Sequence, residues 1–154
     1  MLLTNNEEVT FTTTTVGELA PKRYEQLKRL SFGERGVMYD RLSFGRSKYS
    51  TTSQHVIFAT TDDNRVVGWT MVFPYLWDHK FQRLGKEVSR SLTRIESHYY
   101  VRCTHRRLGL GSELVKRAND LALTNFGKKC RVIADNPENT KFFESAGITR
   151  RYIK

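Results

Sequence analysis

The segment most able to do chemistry covers residues 101–112, Val-Arg-Cys-Thr-His-Arg-Arg-Leu-Gly-Leu-Gly-Ser, which joins a predicted strand to a predicted helix. Glycine has no side chain, so the backbone N–H groups around Gly109 and Gly111 can approach an anion closely. They also lie at a helix N-terminus, where the helix dipole favours a phosphate. Arg106 and Arg107 add positive charge. The turn therefore predicts an anion site. The alternative interpretation is a tight turn whose glycines serve only close packing.

The remaining side chains show no metal-binding arrangement. The four histidines, at positions 55, 79, 98 and 105, are scattered and form no H-E-x-x-H pair. Cys103 and Cys130 lack the spacing of a metal site or a disulfide framework. No P-loop sequence occurs, and a dinucleotide fingerprint would need a third glycine beyond Gly111, where Glu113 and Leu114 stand. We therefore expect no metal and neither of these two nucleotide-binding motifs.

Length and composition indicate one globular domain over residues 1–154. Hydrophobic residues make up 38% of the chain, charged residues 27% and aromatic residues 12%, which is typical of a folded domain. The net charge of +10 favours anionic partners such as nucleic acid, although solubility alone also explains it. No run of about 18 apolar residues occurs, the first residues do not resemble a signal peptide, and the cysteine usage fits a reduced compartment. We expect a cytoplasmic protein without a membrane partner.

Hydrophobic periodicity predicts a mixed α/β domain. The helix over Gly109–Leu123 is the clearest element, because its apolar residues repeat on one face and Gly127 follows as a stop signal. Pro74 is expected to close the second strand of a hairpin. In chain order the pattern predicts strands at 9–14, 55–59, 65–73, 95–101, 130–134 and 148–154, helices at 18–30, 34–42, 109–123 and 138–145, a loop at 43–53 and a less clear stretch at 77–94.

A second motif lies downstream, at residues 136–148, where the sequence reads Asn-Pro-Glu-Asn-Thr-Lys-Phe-Phe-Glu-Ser-Ala-Gly-Ile. The turn Arg106-x-x-Gly109-x-Gly111 resembles motif A of the GNAT acetyltransferase superfamily, and this downstream run resembles its motif B. The Val-Gly-Trp step at residues 67–69 resembles the central strands of the same family. The resemblance covers roughly residues 55–150.

The resemblance implies the acyl-CoA N-acyltransferase fold, an α/β fold with a mixed central sheet whose two parallel strands splay apart between flanking helices. It also implies acetyl-CoA as cosubstrate and a primary amine as acceptor. Its coenzyme-binding residues would be the backbones of Val101 and Cys103, the turn residues Arg106, Arg107, Leu108, Gly109, Leu110, Gly111 and Ser112, and Asn136 and Phe143 of motif B.

Catalytic candidates lie on the strand before the turn, because an attacking amine must lose a proton. Glu96, His98 and Tyr100 alternate onto one face of that strand. The resemblance makes Glu96 and His98 bases that act through water, although both also fit ordinary surface or hydrogen-bonded strand positions. Phe143 stands where many members carry a tyrosine that protonates the leaving thiolate. Tyr100, another tyrosine or water would then take that role.

Two departures from the family keep a second class of function open. The chain ends at Lys154, so we expect the C-terminal strand of a typical member to be missing. The acceptor site would then be open or completed by a second subunit of a homodimer. The missing motif B tyrosine and the high charge also fit a diverged GNAT-like module that binds nucleic acid or a protein. The basic and aromatic residues at 77–94 suit nucleic acid, or an amphipathic helix that covers the sheet. The intact glycine turn favours the enzyme, with an unidentified acceptor.

Overall fold

The computed structural model describes residues 1–34, 54–75, 94–133 and 149–151, together with Phe142 and Ser145. The strands are β1 (Thr10–Thr15), β2 (His55–Thr60), β3 (Val66–Tyr75), β4 (Arg94–Val101), β5 (Arg131–Ile133) and β6 (Thr149–Arg151). They form one six-stranded sheet in the order β1–β2–β3–β4–β5–β6. The helices are α1 (Pro21–Glu34) and α2 (Leu110–Phe126), and short 3-10 turns cover Val16–Glu18 and Cys103–His105.

The sheet changes direction at β4. Strands β1 to β4 pair antiparallel in succession, whereas β5 lies parallel to β4 and β6 lies parallel to β5. A parallel pair needs a crossover connection, and α2 supplies it between β4 and β5. The contact between these strands is short, because Glu96 with Arg131 is their single register pair in the described residues. The crossover places the glycine turn at the carboxyl end of β4.

The helices α1 and α2 cover opposite faces of the sheet. On one face, Tyr24 and Leu27 of α1 pack in a cluster with Trp69 and Tyr100. On the other face, Leu110 and Leu114 of α2 pack with Ile57, Val67 and the N-terminal residues Leu3 and Val9. Burying each large apolar side chain stabilises the fold by about 1.5–3 kcal/mol. The glycine turn is anchored in the second cluster, through Leu108 and Leu110.

The prediction that Pro74 closes the second hairpin strand is wrong. Strand β3 continues through Pro74 to Tyr75, and Pro74 lies opposite Ile95 of β4. The pairing of β3 with β2 already ends at Val72. Beyond Val72, therefore, β3 has a neighbour on one side only in the described residues, and a residue without an N–H group can be accommodated there.

Other boundaries differ from the sequence predictions by a few residues. Helix α1 begins at Pro21 rather than at residue 18, because Val16–Glu18 forms a separate 3-10 turn and proline suits the first helical position. Helix α2 ends at Phe126, three residues later than predicted, and Gly127 caps it with a left-handed φ of 70°, which confirms the predicted stop signal. The predicted helix at 34–42, the loop at 43–53 and the stretch at 77–94 lie outside the described residues, apart from their first or last residue. So does most of the helix at 138–145, of which Phe142 and Ser145 are described as helical.

Candidate functional site

The turn between β4 and α2 has an unusual backbone. Arg107 has a φ of 61° and Gly109 a φ of 91°, so both lie in the left-handed region. A residue other than glycine costs about 1–3 kcal/mol there, and such strain is found most often at functional sites. Gly109, as the N-cap of α2, adopts this conformation without a steric penalty. These two residues turn the chain from strand to helix within a few positions.

The N-terminus of α2 presents backbone donors that have no partner within the helix. The first intrahelical hydrogen bond at this end runs from the Glu113 N–H to the Gly109 carbonyl, at 3.3 Å. The N–H groups of Leu110, Gly111 and Ser112 precede it and therefore have no acceptor within the helix. In the described part of the chain no side chain caps this end. Because these donors and the helix dipole act together, the end of α2 is suited to an anion.

A glycine on the neighbouring strand β3 allows this end of the helix to pack closely on the sheet. A Cβ atom built at Gly68 of β3 would lie 3.1 Å from Leu110 Cδ2 and 3.3 Å from Leu114 Cδ1. The absence of that atom lets the first turns of α2 pack directly on β3. Because the Leu110 side chain is buried against the sheet, only the backbone of Leu110 can serve a ligand.

Two exposed arginines place positive charge beside these donors. Arg106 and Arg107 are both exposed, and the Arg106 Nε donates to the Val101 carbonyl at 2.9 Å. This bond ties the turn to the end of β4. The bond also occupies one lone pair of the Val101 carbonyl, and the family resemblance assigns the Val101 backbone to coenzyme binding. Ser112 is exposed near the same end, and Leu108 is half-buried against the core.

Gly111 links the two sequence motifs. A Cβ atom built at Gly111 would lie 3.2 Å from Phe142 Cζ, which is closer than nearly all real contacts of that kind. Close packing against the motif B segment is therefore a second reason for glycine at this position, beside the approach of an anion. The sequence could not distinguish these two reasons, and the structure gives a direct contact for the packing one.

The three catalytic candidates share one face of β4, which confirms the predicted alternation. The His98 ring stacks on Phe73, with centroids 5.3 Å apart, and the Tyr100 ring stacks on Trp69 at 6.5 Å. Glu96 is 4% exposed and His98 is 7% exposed. The prediction left surface positions open for these two side chains, and the structure places both inside the protein. A buried carboxylate and a buried imidazole on one strand face are groups of the type that can accept a proton from a substrate.

The opposite face of β4 carries a second group of buried polar side chains. Ser97 Oγ donates to the Arg131 carbonyl at 3.4 Å, and the Cys130 thiol donates to the Ala118 carbonyl at 3.4 Å. Burial raises the pKa of Tyr99 well above its usual value. Burial likewise raises the pKa of Cys130, to about 12, although Ser97 partly opposes the rise. These groups stay protonated near neutral pH and join α2 to the sheet.

The two cysteines should differ strongly in reactivity. Cys103 is exposed at the start of the turn, whereas Cys130 is buried and its pKa is about 12. Because the thiolate is the reactive form, we expect maleimide at pH 7.5 to label one thiol per folded chain and two in denaturant, as counted by mass spectrometry. Cys103→Ser is the control and should leave the folded protein unlabelled. Rapid labelling of two thiols in the folded protein would contradict the burial of Cys130.

The structure brings most of the predicted site residues together. The turn residues 106–112 and the end of β4 at Val101 and Cys103 form one continuous region, whereas Asn136 and Phe143 lie outside the described residues. Sequence reasoning missed the role of His105, which is 6% exposed and bonds to Glu7. A lone histidine between arginines was the only signal, and its partner is 98 residues away in the chain.

The described regions hold neither a metal-binding cluster nor a membrane-spanning helix. Among the residues that the structure describes, no three His, Cys, Asp or Glu side chains form a group that could hold a metal ion. No helix in the described stretches is long and apolar enough to cross a membrane.

Solved structures share this fold at low sequence identity. A Pyrococcus furiosus protein with a provisional acetyltransferase assignment superposes with a TM-score of 0.66 at 19% identity, over 96% of this chain and 97% of its own. A Pseudomonas aeruginosa acyl-CoA N-acyltransferase gives 0.63 at 13% identity, over 92% and 89%. An aminoglycoside antibiotic 6′-N-acetyltransferase of Acinetobacter baumannii gives 0.60 at 12% identity, over 96% of both chains. These likenesses concern the fold alone.

The sequence itself carries the family assignment. No curated protein matches the chain significantly. The family model described as the acetyltransferase (GNAT) family, however, matches residues 22–148, which include nearly all of α1, strands β2 to β5, the glycine turn and the motif B run. The chain therefore belongs to the GNAT acetyltransferase family.

Proposed function

We propose that this chain transfers an acetyl group from acetyl-CoA to a primary amine, and that the turn between β4 and α2 binds the coenzyme pyrophosphate. The observation that carries the proposal is the N-terminus of α2, where Gly109 is left-handed, no described side chain caps the helix, and the first N–H groups have no acceptor within the helix. A pyrophosphate there would accept several hydrogen bonds and gain from the helix dipole. The exposed Arg106 and Arg107 add charge that matches the phosphates.

The pantetheine arm is proposed to run along β4, between β4 and β5. The short β4–β5 contact supports this route, because the described residues of β5 pair with β4 only at Glu96. Beyond this pair, the carboxyl end of β4 at Val101 has no register partner in the described residues of β5. A splay of the two strands would provide the necessary room. Asn136 and Phe143, assigned through the resemblance, would complete the binding site from motif B.

The proposed reaction is a direct attack. The amine nitrogen forms a bond to the thioester carbonyl carbon, the carbon–sulfur bond breaks, and the sulfur leaves as thiolate. Holding both reactants in line supplies much of the rate enhancement, and a β4 backbone N–H near Val101 would polarise the carbonyl. The proton that the amine loses goes to Glu96 or His98, directly or through water. Both side chains are buried and lie on one face of β4, which supports this assignment.

The structure limits the candidates for protonating the leaving thiolate. Phe143, in the position of the usual tyrosine, has no proton to donate. Tyr99 lies on the face opposite His98, and its raised pKa makes it a weak acid. Tyr100 lies on the correct face but packs against Trp69. A thiolate is a good leaving group, so Tyr100 or water suffices.

Calorimetric titration with acetyl-CoA tests the proposal, after removal of any co-purified coenzyme. We expect binding with a Kd of about 1 μM to 1 mM, the usual range for enzyme substrates. Acetyl-pantetheine, which lacks the phosphates, should bind about a hundredfold more weakly, because hydrogen bonds to charged groups contribute about 1.5–3 kcal/mol each. A panel of amines with a thiol-release readout would then identify the acceptor class. If acetyl-CoA produces no heat and no protection from unfolding, the proposal is wrong and a binding module without catalysis takes its place.

A further inference from the structure

The first nine residues form a small clip that folds back on itself. Leu2 and Glu8 form an antiparallel bridge, and the Val9 N–H donates to the Met1 carbonyl at 2.9 Å. The Leu3 N–H donates to the Glu7 carbonyl at 2.9 Å, which closes the tip of the clip. Leu3 and Val9 are buried in the same cluster as Leu110. The clip is therefore anchored in the core beneath the start of α2.

Two contacts join this clip to the glycine turn. The Thr4 N–H donates to the Leu108 carbonyl at 3.2 Å. The Glu7 Oε1 and the His105 Nε2 lie 2.6 Å apart, and His105 is almost completely buried. The second ring nitrogen of His105 lies 2.8 Å from the Thr104 hydroxyl. Both nitrogens of the ring are thus engaged, and the ring holds one orientation inside the turn.

The contact at Leu108 has a consequence for the neighbouring amide. In a planar trans peptide the carbonyl and the following N–H point in opposite directions. Because the Leu108 carbonyl points at Thr4 of the clip, the Gly109 N–H points away from the clip. The left-handed φ of Gly109 then leads directly into the open donors at the start of α2. The clip therefore fixes one amide of the turn and braces the amides that follow.

We propose that the clip positions the turn for the phosphates of the coenzyme, and that Glu7 acts through His105 as its positioning residue. The inference rests on the proposed function. Binding costs less when the donors are already held in place, because less conformational entropy is lost. Glu7 is itself 37% exposed, so core packing does not explain its contact with a buried histidine. Its role is to hold His105 and, with it, the start of the turn.

The sign of the effect separates positioning from simple electrostatics. Removing a carboxylate near an anion site should tighten anion binding if charge alone matters. Positioning predicts the opposite result for Glu7→Ala. We expect the KM for acetyl-CoA to rise about tenfold, which corresponds to the loss of one hydrogen bond to a charged group. The kcat/KM for acetyl-pantetheine, which has no phosphates to place, should stay unchanged.

Two variants provide the controls. Glu7→Gln keeps a carbonyl oxygen that can accept from the His105 Nε2, so we expect it to restore near-normal KM. Asp120→Ala removes one exposed acid from the outer part of α2 and makes the same change in net charge without touching the turn. It should leave KM at the wild-type value. Thermal unfolding of all variants measures any general loss of stability.

Amide hydrogen exchange without ligand adds a readout that does not depend on the coenzyme. Glu7→Ala should speed exchange at residues 105–112 and leave the far end of α2 unchanged. If wild-type protein binds acetyl-CoA and Glu7→Ala binds it equally or more tightly, the inference is wrong while the proposed function stands. An equal loss for acetyl-CoA and acetyl-pantetheine, with a lower melting temperature, would also overturn it in favour of a structural role. If the wild type does not bind acetyl-CoA, the proposed function fails, and the inference fails with it.

Discussion

Replacing Gly109 with alanine is expected to weaken acetyl-CoA binding about a hundredfold, because one or two hydrogen bonds to charged phosphate oxygens are lost at about 1.5–3 kcal/mol each. The cause is the backbone. At a φ of +91° an added Cβ is strained, although the nearest described atom, Met1 Cε, would lie at an ordinary 3.8 Å. The turn relieves the strain by rotating, and the rotation redirects the N–H groups of Gly109 and Leu110. Isothermal titration calorimetry measures the affinity.

Gly127 offers a matched control for this substitution. It has a φ of 70° at the other end of the same helix, and a Cβ built there would meet nothing within 4 Å in the described structure. In both variants alanine is forced into the left-handed conformation, which lowers the free energy of unfolding by about 1–2 kcal/mol. Both should therefore lower the melting temperature by a few degrees. Only Gly109→Ala should lose affinity for acetyl-CoA. Equal affinities in the two variants would show that the turn does not bind the coenzyme.

Gly111 is a less informative position for the same test. A Cβ added there would lie 3.2 Å from Phe142 Cζ, so the Phe142 ring would have to shift by a few tenths of an ångström. A variant at Gly111 would disturb the packing of the two motifs as well as any bound phosphate. Loss of binding would then have two explanations. A loss of binding in Gly109→Ala has a single explanation, because the space around Gly109 accommodates the added methyl group and only the backbone conformation is disturbed.

The sequence was sufficient to predict the strand-turn-helix at the centre of the site. Small residues and a helical repeat are local signals, so Gly109, Gly127 and the repeat of α2 could be identified from the chain alone. The prediction that Pro74 ends its strand is wrong, because a strand can contain proline where its neighbour has stopped pairing, and β2 stops pairing with β3 at Val72. The point at which two strands stop pairing is a property of the assembled sheet and cannot be read from the residues around Pro74 alone. Local patterns thus located the elements, and tertiary pairing decided their ends.

The clip and the burial of the catalytic candidates were beyond the reach of sequence reasoning for a related reason. Glu7 and His105 are separated by 98 positions, and no spacing rule joins them. Alternation placed Glu96 and His98 on one face of β4 correctly. Their exposure, however, depends on what covers that face. A polar side chain that is buried in this way must be hydrogen-bonded or functional, and this conclusion needs the fold.

The face of β4 that carries Glu96 and His98 is where we expect a second substitution to reduce activity strongly. Glu96→Gln is expected to lower kcat by about 10²–10⁴-fold, the usual contribution of general base catalysis. The amide keeps the size of the side chain and cannot accept the proton of the attacking amine. Glu96 is also the residue of β4 that pairs with Arg131 of β5. Steady-state kinetics with an accepted amine measures the effect.

Ser97 provides the comparison, because it is equally buried on the same strand but belongs to the opposite face. Ser97→Ala should keep kcat, and all variants should keep the KM for acetyl-CoA within about twofold if the interaction is made only in the transition state. The variant His98→Gln tests whether the proton passes from one of these side chains to the other. If a general base must be deprotonated to act, kcat of the wild type rises with pH. If the proton passes between Glu96 and His98, both variants should lose that rise. If Glu96→Gln and His98→Gln both retain full kcat, the base does not lie on this strand. The two side chains would then serve only to fill the interior, where the His98 ring already stacks on Phe73 of β3.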